Sequence, residues 1–496
     1  MKKRYIFIFS MLFAAICGGC QDFLHLVPKN KVIVANVEDV RTELLTYLAG
    51  ITYSVKLEPS YGSTHFRFPF YNEVAAYLCL YEDDIDMMHF SDHPDGESSI
   101  AAYNECIDWK AVGMASNLWV QCYGTIGFMN AILDDLEKVG EYTQPEYETI
   151  TGEARVIRAY HIFKLLQFFA PYHNDKLGIP LNLDSENMEP GGRWSQTEVY
   201  RLLTDELTEV LGYRTNSQSW NIFYQTGMVK ALLAQIYWFK AGSAAAEESD
   251  WANAEKYSGD LIARYSPEDR SELLADQFSA GYAEYVLNSL YFQVKFAYPK
   301  AWTIGDQRTG FWAEGEAQHA SEDLLGLYDP QDIRLEAWFK KSMDDNNQEY
   351  YGINKPAYKR PISEITVLFR TAEMFLINAE AKCRLERIPE ARRMLETFRA
   401  SRIPDYAGFE GEDVLDEILK ERRKELCYEL GTRWMDMKRL GIGMKRLGYK
   451  KEGQGVETYE LQPDDYRFAL PIPVEQELSY NNYLEQNPGW GNLNKE

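Results

Sequence analysis

The chain has 496 residues, with 76 Asp or Glu against 52 Lys or Arg, so its formal net charge is −24. Hydrophobic residues make up 45 %, which is enough for a large core and typical of a globular protein. Nucleic-acid binding needs a basic surface, and the acidic excess excludes that class of function first.

Residues 1–19 have the pattern of a bacterial lipoprotein signal peptide. Three basic residues at 2–4 precede an apolar stretch too short to span a bilayer, and Gly18 and Gly19 come just before Cys20. We predict cleavage before Cys20, attachment of two or more acyl chains such as palmitate to this cysteine, and a lipidated tether over residues 20–35. The alternative is a plain secretory signal that is cleaved elsewhere.

Much of the remaining chain is predicted to form paired helices. Capping boxes at Thr143–Glu146 and Ser195–Glu198 begin two of them, and the first is stopped by Pro171. Other helices are predicted from apolar residues at helical spacing over 36–48, 116–139, 229–242, 249–261, 368–383 and 391–398. Small alanines in facing helices are typical of tetratricopeptide-like repeats, but their spacing is irregular. We therefore predict a mainly α fold of degenerate tetratricopeptide-like helix pairs in one compact body.

The helical period fades between about residues 266 and 360. Alternation of Phe292, Val294 and Phe296 with polar residues predicts a short strand there. Residues 285–351 are otherwise rich in Gly, acidic and aromatic residues, which favours an irregular, loop-rich ligand segment containing short strands.

No motif for a catalytic nucleophile, a phosphate-binding loop or a zinc peptidase is present, so we expect neither an enzyme nor a cofactor. His89 and His93 lie four residues apart among aspartates. They could ligate a metal, but a solvated acidic loop is the preferred interpretation. Arg155 and Arg158 are expected to form buried pairs, and the charged run at 421–439 a solvated or ion-paired helix.

Several segments carry a family resemblance in a fixed order. They are CQDFLHLVP at 20–28, ARVIRAYHIF at 154–163, FRTAEMFLINAE at 369–380, LPIP at 470–473 and QNPGW at 486–490. Together they resemble the SusD/RagB family of outer-membrane glycan-capture lipoproteins, over nearly the whole mature chain. One departure is that the segment between Glu421 and Asp436 is one residue longer than the family pattern, which shifts Arg433 by about 100° around a helix.

The resemblance implies four regions: the signal peptide at 1–19, the tether at 20–35, an N-terminal SusD-like helical region at 36–265 and a C-terminal RagB/SusD region at 266–496. It implies a lipid-anchored, non-catalytic protein facing outwards from the cell outer membrane. Such a protein captures oligosaccharides and delivers them to a SusC-like TonB-dependent transporter. A peptide-capturing receptor of the same fold is the first alternative, and a surface glycosidase the second.

We place the glycan site on two grounds: the aromatic composition of this region, and the resemblance, which implies binding through variable loops near here. Sugars offer apolar C–H faces that stack on aromatic rings, while nearby polar groups bind their hydroxyls. The rings chosen are those of Tyr298, Trp302, Phe311 and Trp312, with Trp109 as an opposing wall. The alternative is that these rings pack beneath the loop as a small core of their own.

Overall fold

The computed structural model describes residues 34–51, 80–89, 106–110, 112–187, 189–267, 269, 274, 291–295, 319–343, 347, 349–353, 355, 365–429, 431–450 and 455–491. Within these residues there are twelve α-helices and three two-stranded antiparallel sheets, which confirms the predicted mainly α fold. In the same part of the chain, no helix has the length and apolarity needed to cross a membrane.

The helices are α1 Val37–Ile51, α2 Val112–Val139, α3 Gln144–Phe169, α4 Gln196–Leu211, α5 Thr226–Lys240, α6 Asp250–Ile262, α7 Glu322–Leu325, α8 Ile333–Trp338, α9 Thr371–Arg384, α10 Ile388–Ala400, α11 Val414–Leu426 and α12 Thr432–Leu440. The strands are β1 Tyr291–Lys295, β2 Phe339–Met343, β3 Glu349–Ile353, β4 Ile365–Arg370, β5 Met444–Tyr449 and β6 Val456–Leu461. Strand β1 pairs with β4, β2 with β3 and β5 with β6.

Both predicted capping boxes are present. The Thr143 hydroxyl accepts from the Glu146 backbone N–H, and the Glu146 carboxylate accepts from the Thr143 N–H at 2.7 Å. Ser195 and Glu198 repeat this arrangement at the start of α4. Gly140 ends α2 with a left-handed φ of 64°, which glycine adopts without strain. The short connection from α2 to α3 then turns the chain back, so the two helices form the predicted hairpin.

Helix α3 is the centre of the N-terminal region. It packs against α1, α2, α4 and α5, and nearly every residue from Glu148 to Phe169 is buried. Its two arginines are paired, as expected: Arg158 donates to Asn130 at 2.7 Å and pairs with Glu206, and Arg155 pairs with Glu209 at 2.6 Å. Burial also lowers the pKa of His161 to about 4, so this imidazole is neutral at physiological pH. These groups therefore stabilise the helix array and are not available to a ligand.

The predicted helix at 368–383 begins later than expected. Leu368 lies in β4, and α9 starts at Thr371. The residues Ile365, Thr366 and Val367 are β-branched, and they pair with β1, which lies some 70 residues earlier in the chain. The strand ladder therefore overrides the helical spacing of the apolar residues.

The charged run at 421–439 forms two helices, because α11 ends at Leu426 and α12 begins at Thr432. In the connection between α11 and α12, Tyr428 and Gly431 adopt left-handed φ values of 62° and 71°. The expected rotation of Arg433 around one continuous helix is therefore wrong, since the longer segment forms a break. Its charged groups are mostly buried and ion-paired, so the ion-paired interpretation of the run is confirmed and the solvated one is not.

Candidate functional site

The sequence-predicted ligand residues Tyr298, Trp302, Phe311 and Trp312 lie outside the described residues, as do Cys20, His93 and the side chain of His89. The structure describes the surroundings from which the 296–318 segment leaves and to which it returns. We call these surroundings the frame. It comprises residues 82–86, residues His319–Ser321, the paired strands β1 and β4, and the hairpin of β2 and β3. Among the described residues, no group of three acidic, histidine or cysteine side chains is arranged to hold a metal ion.

The first anchor of the segment is β1, which ends at Lys295. Lys295 lies opposite Ile365 in the antiparallel ladder, and Tyr291 lies opposite Arg370. Strand β4 continues directly into α9, and the Arg370 guanidinium is buried against Glu425 and Glu429. The chain therefore enters the segment from a strand that is tied to the protein core.

The second anchor is His319. It forms a bridge with Gly352 of β3, and its carbonyl accepts from the Asp86 N–H at 2.9 Å. The neighbouring Ala320 bridges to Ile85 and donates to the Tyr351 carbonyl at 2.9 Å. The His319 ring stacks on the Tyr350 ring with centroids 3.7 Å apart and planes only 9° apart. The residues that flank the segment on both sides are thus fixed, while the segment itself lies outside the described residues.

An acidic turn links the frame to α11 and α12. Arg433 donates to both carboxylate oxygens of Asp83 at 2.7 Å, and Arg423 donates to Asp84 at 2.7 Å. Burial opposes the charge on Asp83, but the hydrogen bonds and charge of Arg433 outweigh it and lower the pKa of that carboxyl. Burial and the adjacent aspartates raise the pKa of Glu82 well above its ordinary value. Asp84 is fully buried, whereas the solvated acidic loop predicted around Pro94 and Gly96 lies outside the described residues.

A buried ion-pair network lies beneath the frame. Glu425 accepts from Arg334 at 2.8 Å, from Arg370 at 2.5 Å and from two nitrogens of Arg402 at 3.0 Å each. Arg334 also donates to Glu421 at 2.6 Å. Burial acts against the charge of Glu425, yet the three guanidinium groups hold its pKa well below the ordinary range. The network joins α8, β4, α11 and the chain just after α10, and so fixes the base of the frame.

The expectation that Trp109 forms an opposing wall of the site is contradicted. Its side chain is 1 % exposed, and the indole N–H donates to the Tyr81 carbonyl at 3.0 Å. The Arg446 and Arg467 guanidinium groups lie 4.2 and 5.4 Å from the ring centroid. Trp109 is therefore a core residue held by cation–π contacts and presents no open face to a sugar.

Sequence reasoning missed the His319–Tyr350 stack and the acidic turn as parts of the frame. The residues of the stack are 31 positions apart, and no periodicity connects them. The arginines that fix Asp83 and Asp84 follow some 340 residues later.

Two sequence models of known families match the chain. One, described as SusD family, matches residues 182–490, and the other, described as starch-binding associating with outer membrane, matches residues 76–237. The curated relative SusD-like protein P2 of Formosa agariphila is 22 % identical over 426 residues, which cover 76 % of this chain and 81 % of that protein.

Solved structures share the fold at low sequence identity. A SusD superfamily protein from Bacteroides thetaiotaomicron matches with a TM-score of 0.68 and 21 % identity, covering 91 % of this chain and all of that one. A putative sugar binding protein from Bacteroides vulgatus gives 0.67 and 18 %, covering 93 % and 100 %. Surface glycan-binding protein A from Bacteroides thetaiotaomicron gives 0.66 and 16 %, covering 92 % and 100 %. Because the SusD family model spans more than half of the sequence, this chain belongs to the SusD family.

Proposed function

We propose that this chain is a non-catalytic cell-surface protein that captures oligosaccharides and delivers them to a SusC-like TonB-dependent transporter in the outer membrane. Its membership of the SusD family over residues 182–490 carries the proposal. Two proteins of the same fold support the ligand class, since one is named a surface glycan-binding protein and the other a putative sugar binding protein. The second matching family model, which is described by starch binding and outer-membrane association, supports the place of action.

In this proposal the glycan stacks on rings of the 296–318 segment, namely Tyr298, Trp302, Phe311 and Trp312. The anchored positions of Lys295 and His319 support this choice, because they fix the two points between which the segment must lie. Lys300, Asp306, Gln307 and Arg308 supply polar partners for sugar hydroxyls.

The ion-paired aspartates of the frame also favour a binding role. Glycoside hydrolysis needs two carboxyl groups that flank the scissile bond and are free to donate or accept a proton. Asp83 and Asp84 are instead engaged by Arg433 and Arg423. Their use in ion pairs supports capture over bond cleavage at this part of the frame.

Anchoring through acyl chains on Cys20 would complete the mechanism. A tether of about 15 residues leaves the folded body free to open and close over a transporter while keeping their effective concentration high. The proposed cycle is therefore capture of the oligosaccharide, closure over the transporter and release into its barrel, with no bond broken by this chain.

The test is a binding experiment on the mature protein with a panel of labelled oligosaccharides. We expect saturable retention without cleavage of one glycan class, and an approximately 10- to 30-fold loss of affinity in Trp302→Ala, as for a single anchor aromatic. Tyr480→Ala is the matched control, because this ring is 77 % exposed and lies on the C-terminal turn. Steady turnover of the glycan would instead indicate a glycosidase, and retention of peptides alone a peptide receptor.

Thermal melting of the same variants separates binding from packing. An unchanged melting temperature with weakened binding supports the stacking role of Trp302. A large fall in melting temperature would show that the ring belongs to a small core, and unchanged affinity would remove Trp302 from the site.

A further inference from the structure

An open trough lies between α6 and α10, with α9 as its floor. It has a volume of about 700 Å³, and its lining extends from Phe375 to Lys382 on α9 and from Glu390 to Thr397 on α10. Seven residue steps along a helix correspond to about 10 Å, or two turns, so the cross-section is roughly 70 Å². A space of this size accepts a short extended peptide or one face of a helix but excludes a folded domain.

Every carboxylate that lines the trough is already neutralised. The pairs are Glu255 with Lys382 and Arg387, Asp260 with Lys230, and Glu390 with Lys382 and Arg387. The acidic groups of the lining are therefore not free to attract a cationic ligand.

Two basic residues of the lining remain without a carboxylate. Lys256 on the α6 wall and Arg393 on the α10 wall are both exposed, and within the described part of the chain neither forms an ion pair. The Lys256 ammonium lies 5.0 Å from the centroid of the Tyr257 ring. The trough therefore has a local positive excess of two on a chain whose net charge is −24. Such a patch attracts an acidic ligand where most of this protein's surface would repel it.

The floor and the α10 wall also supply apolar contacts, from Phe375 and Met394. Phe375 and Met394 are half-buried, and Phe375 packs on Phe398 with ring centroids 5.6 Å apart. An oligosaccharide would favour several open ring faces, whereas the described lining offers Phe375 as its one aromatic ring. The combination suits a peptide side chain that is flanked by carboxylates.

We propose that this trough is a docking site for an acidic segment of a partner protein, in which carboxylates contact Lys256 and Arg393 and an apolar residue between them packs on Phe375 and Met394. None of the described residues that line this trough belongs to the proposed glycan segment, and the proposal depends on neither the glycan nor Trp302.

The test is a fluorescence-anisotropy titration of the mature chain with a rhodamine-labelled peptide, Glu-Glu-Leu-Glu-Glu, and with its Gln-Gln-Leu-Gln-Gln analogue. We expect the acidic peptide to bind at least tenfold more tightly than the amide analogue at low ionic strength. The double variant Lys256→Glu with Arg393→Glu should weaken that binding at least tenfold, and binding should fall as salt is added.

The matched control is Lys341→Glu with Lys445→Glu. It makes the same change in net charge at two exposed lysines on strands outside the trough, whose side chains are 53 % and 66 % exposed. This control should bind the acidic peptide within about twofold of the unchanged protein, after allowing for overall charge. Phe375→Ala should also weaken binding, and Lys256→Gln with Arg393→Gln serves as the neutral variant if charge reversal impairs folding.

Three results would overturn the proposal. They are equal binding of the two peptides, equal losses in the trough and control double variants, and unchanged binding in both the charge-reversed and the neutral trough variants. None of these results bears on glycan capture, so failure here leaves the proposed function to its own test.

Discussion

Replacing Glu425 by Gln should destabilise the protein more than any single change at an exposed ion pair. Its carboxylate is fully buried and accepts four hydrogen bonds from Arg334, Arg370 and Arg402. Glutamine keeps the shape of the side chain but removes the charge. Its amide group would also point two N–H donors at guanidinium groups that are themselves donors.

The magnitude follows from counting these contacts. The remaining amide oxygen can keep about two of the four hydrogen bonds, and each charge-assisted bond that is lost contributes about 1.5–3 kcal/mol. The expected loss is therefore about 3–6 kcal/mol, close to the usual effect of about 3–5 kcal/mol for removing one partner from a buried ion pair. That amounts to a large share of the stability of an ordinary domain, about 5–15 kcal/mol.

Urea unfolding followed by tryptophan fluorescence measures this effect. Trp338 is a suitable internal probe, because the Lys355 ammonium lies 3.9 Å from its ring centroid and Arg370 lies 5.9 Å from it. The control is Glu460→Gln, since the Lys445–Glu460 pair is exposed and should contribute less than about 1 kcal/mol.

The origin of the effect can be tested by adding Arg402→Met to Glu425→Gln. Removing one uncompensated cation should recover part of the lost stability, so the two changes should be non-additive. A midpoint shift for Glu425→Gln no larger than that of Glu460→Gln would refute the reasoning. Strictly additive losses would show that charge imbalance is not the cause.

Two further predictions concern the anchor and the helix array. Cys20→Ala should release the mature protein from the membrane fraction, because the acyl chains on Cys20 supply the proposed attachment. Cell fractionation with palmitate labelling checks this. Continued labelling of the variant would show that another cysteine is modified. Thr143→Ala should lower the free energy of unfolding by about 1 kcal/mol, because it removes the side-chain acceptor for the Glu146 N–H at the start of α3. Thr458→Ala, at an exposed strand position, is the control and should change the melting temperature little.

The local signals in the sequence were sufficient to place the starts of helices α3 and α4. The boxes at Thr143 and Ser195 are complete within four residues, so the sequence contains both the donor and the acceptor groups. Helix α2 begins at Val112, four residues before the predicted start at Ser116, because no capping residue in the sequence marks its first turn. Such boundaries depend on tertiary packing, which spacing alone does not contain.

The frame could not be predicted in the same way, because its contacts join distant parts of the chain. Leu368 has helical spacing to Ala372, yet pairing of β4 with β1 places it in a strand. Trp109 was expected to form an opposing wall of the site, but Arg446 and Arg467 cover its ring from positions more than 330 residues later. Likewise, the charged run contains the acids of the buried network but gives no indication that Arg334 and Arg370 would meet them.

Lys438 gives a last prediction, on the pH dependence of stability. Its side chain is almost fully buried at the end of α3, where the amine donates to the carbonyls of Gln167 at 2.5 Å and Ala170 at 2.8 Å. Burial, with a smaller contribution from the charge of Arg193, lowers the pKa of Lys438 to about 7. A neutral amine still has two N–H donors, which is the number that these two carbonyls require.

Because the pKa of Lys438 is lower in the folded than in the unfolded state, the unfolded chain binds more protons between about pH 7 and about pH 10. Stability should therefore rise with pH in this window, by about 2 kcal/mol between pH 7 and pH 9 from this group alone, and this contribution should level off below the folded pKa. Lys438→Met should lower stability at every pH, since it leaves two helix-end carbonyls without donors. It should also reduce the rise between pH 7 and pH 9 by about 2 kcal/mol, whereas Lys445→Met, at an exposed lysine, should leave the rise intact. Urea midpoints measured across this range decide the matter: an equal rise in the unchanged protein and in Lys438→Met would show that the amine stays protonated in the folded state.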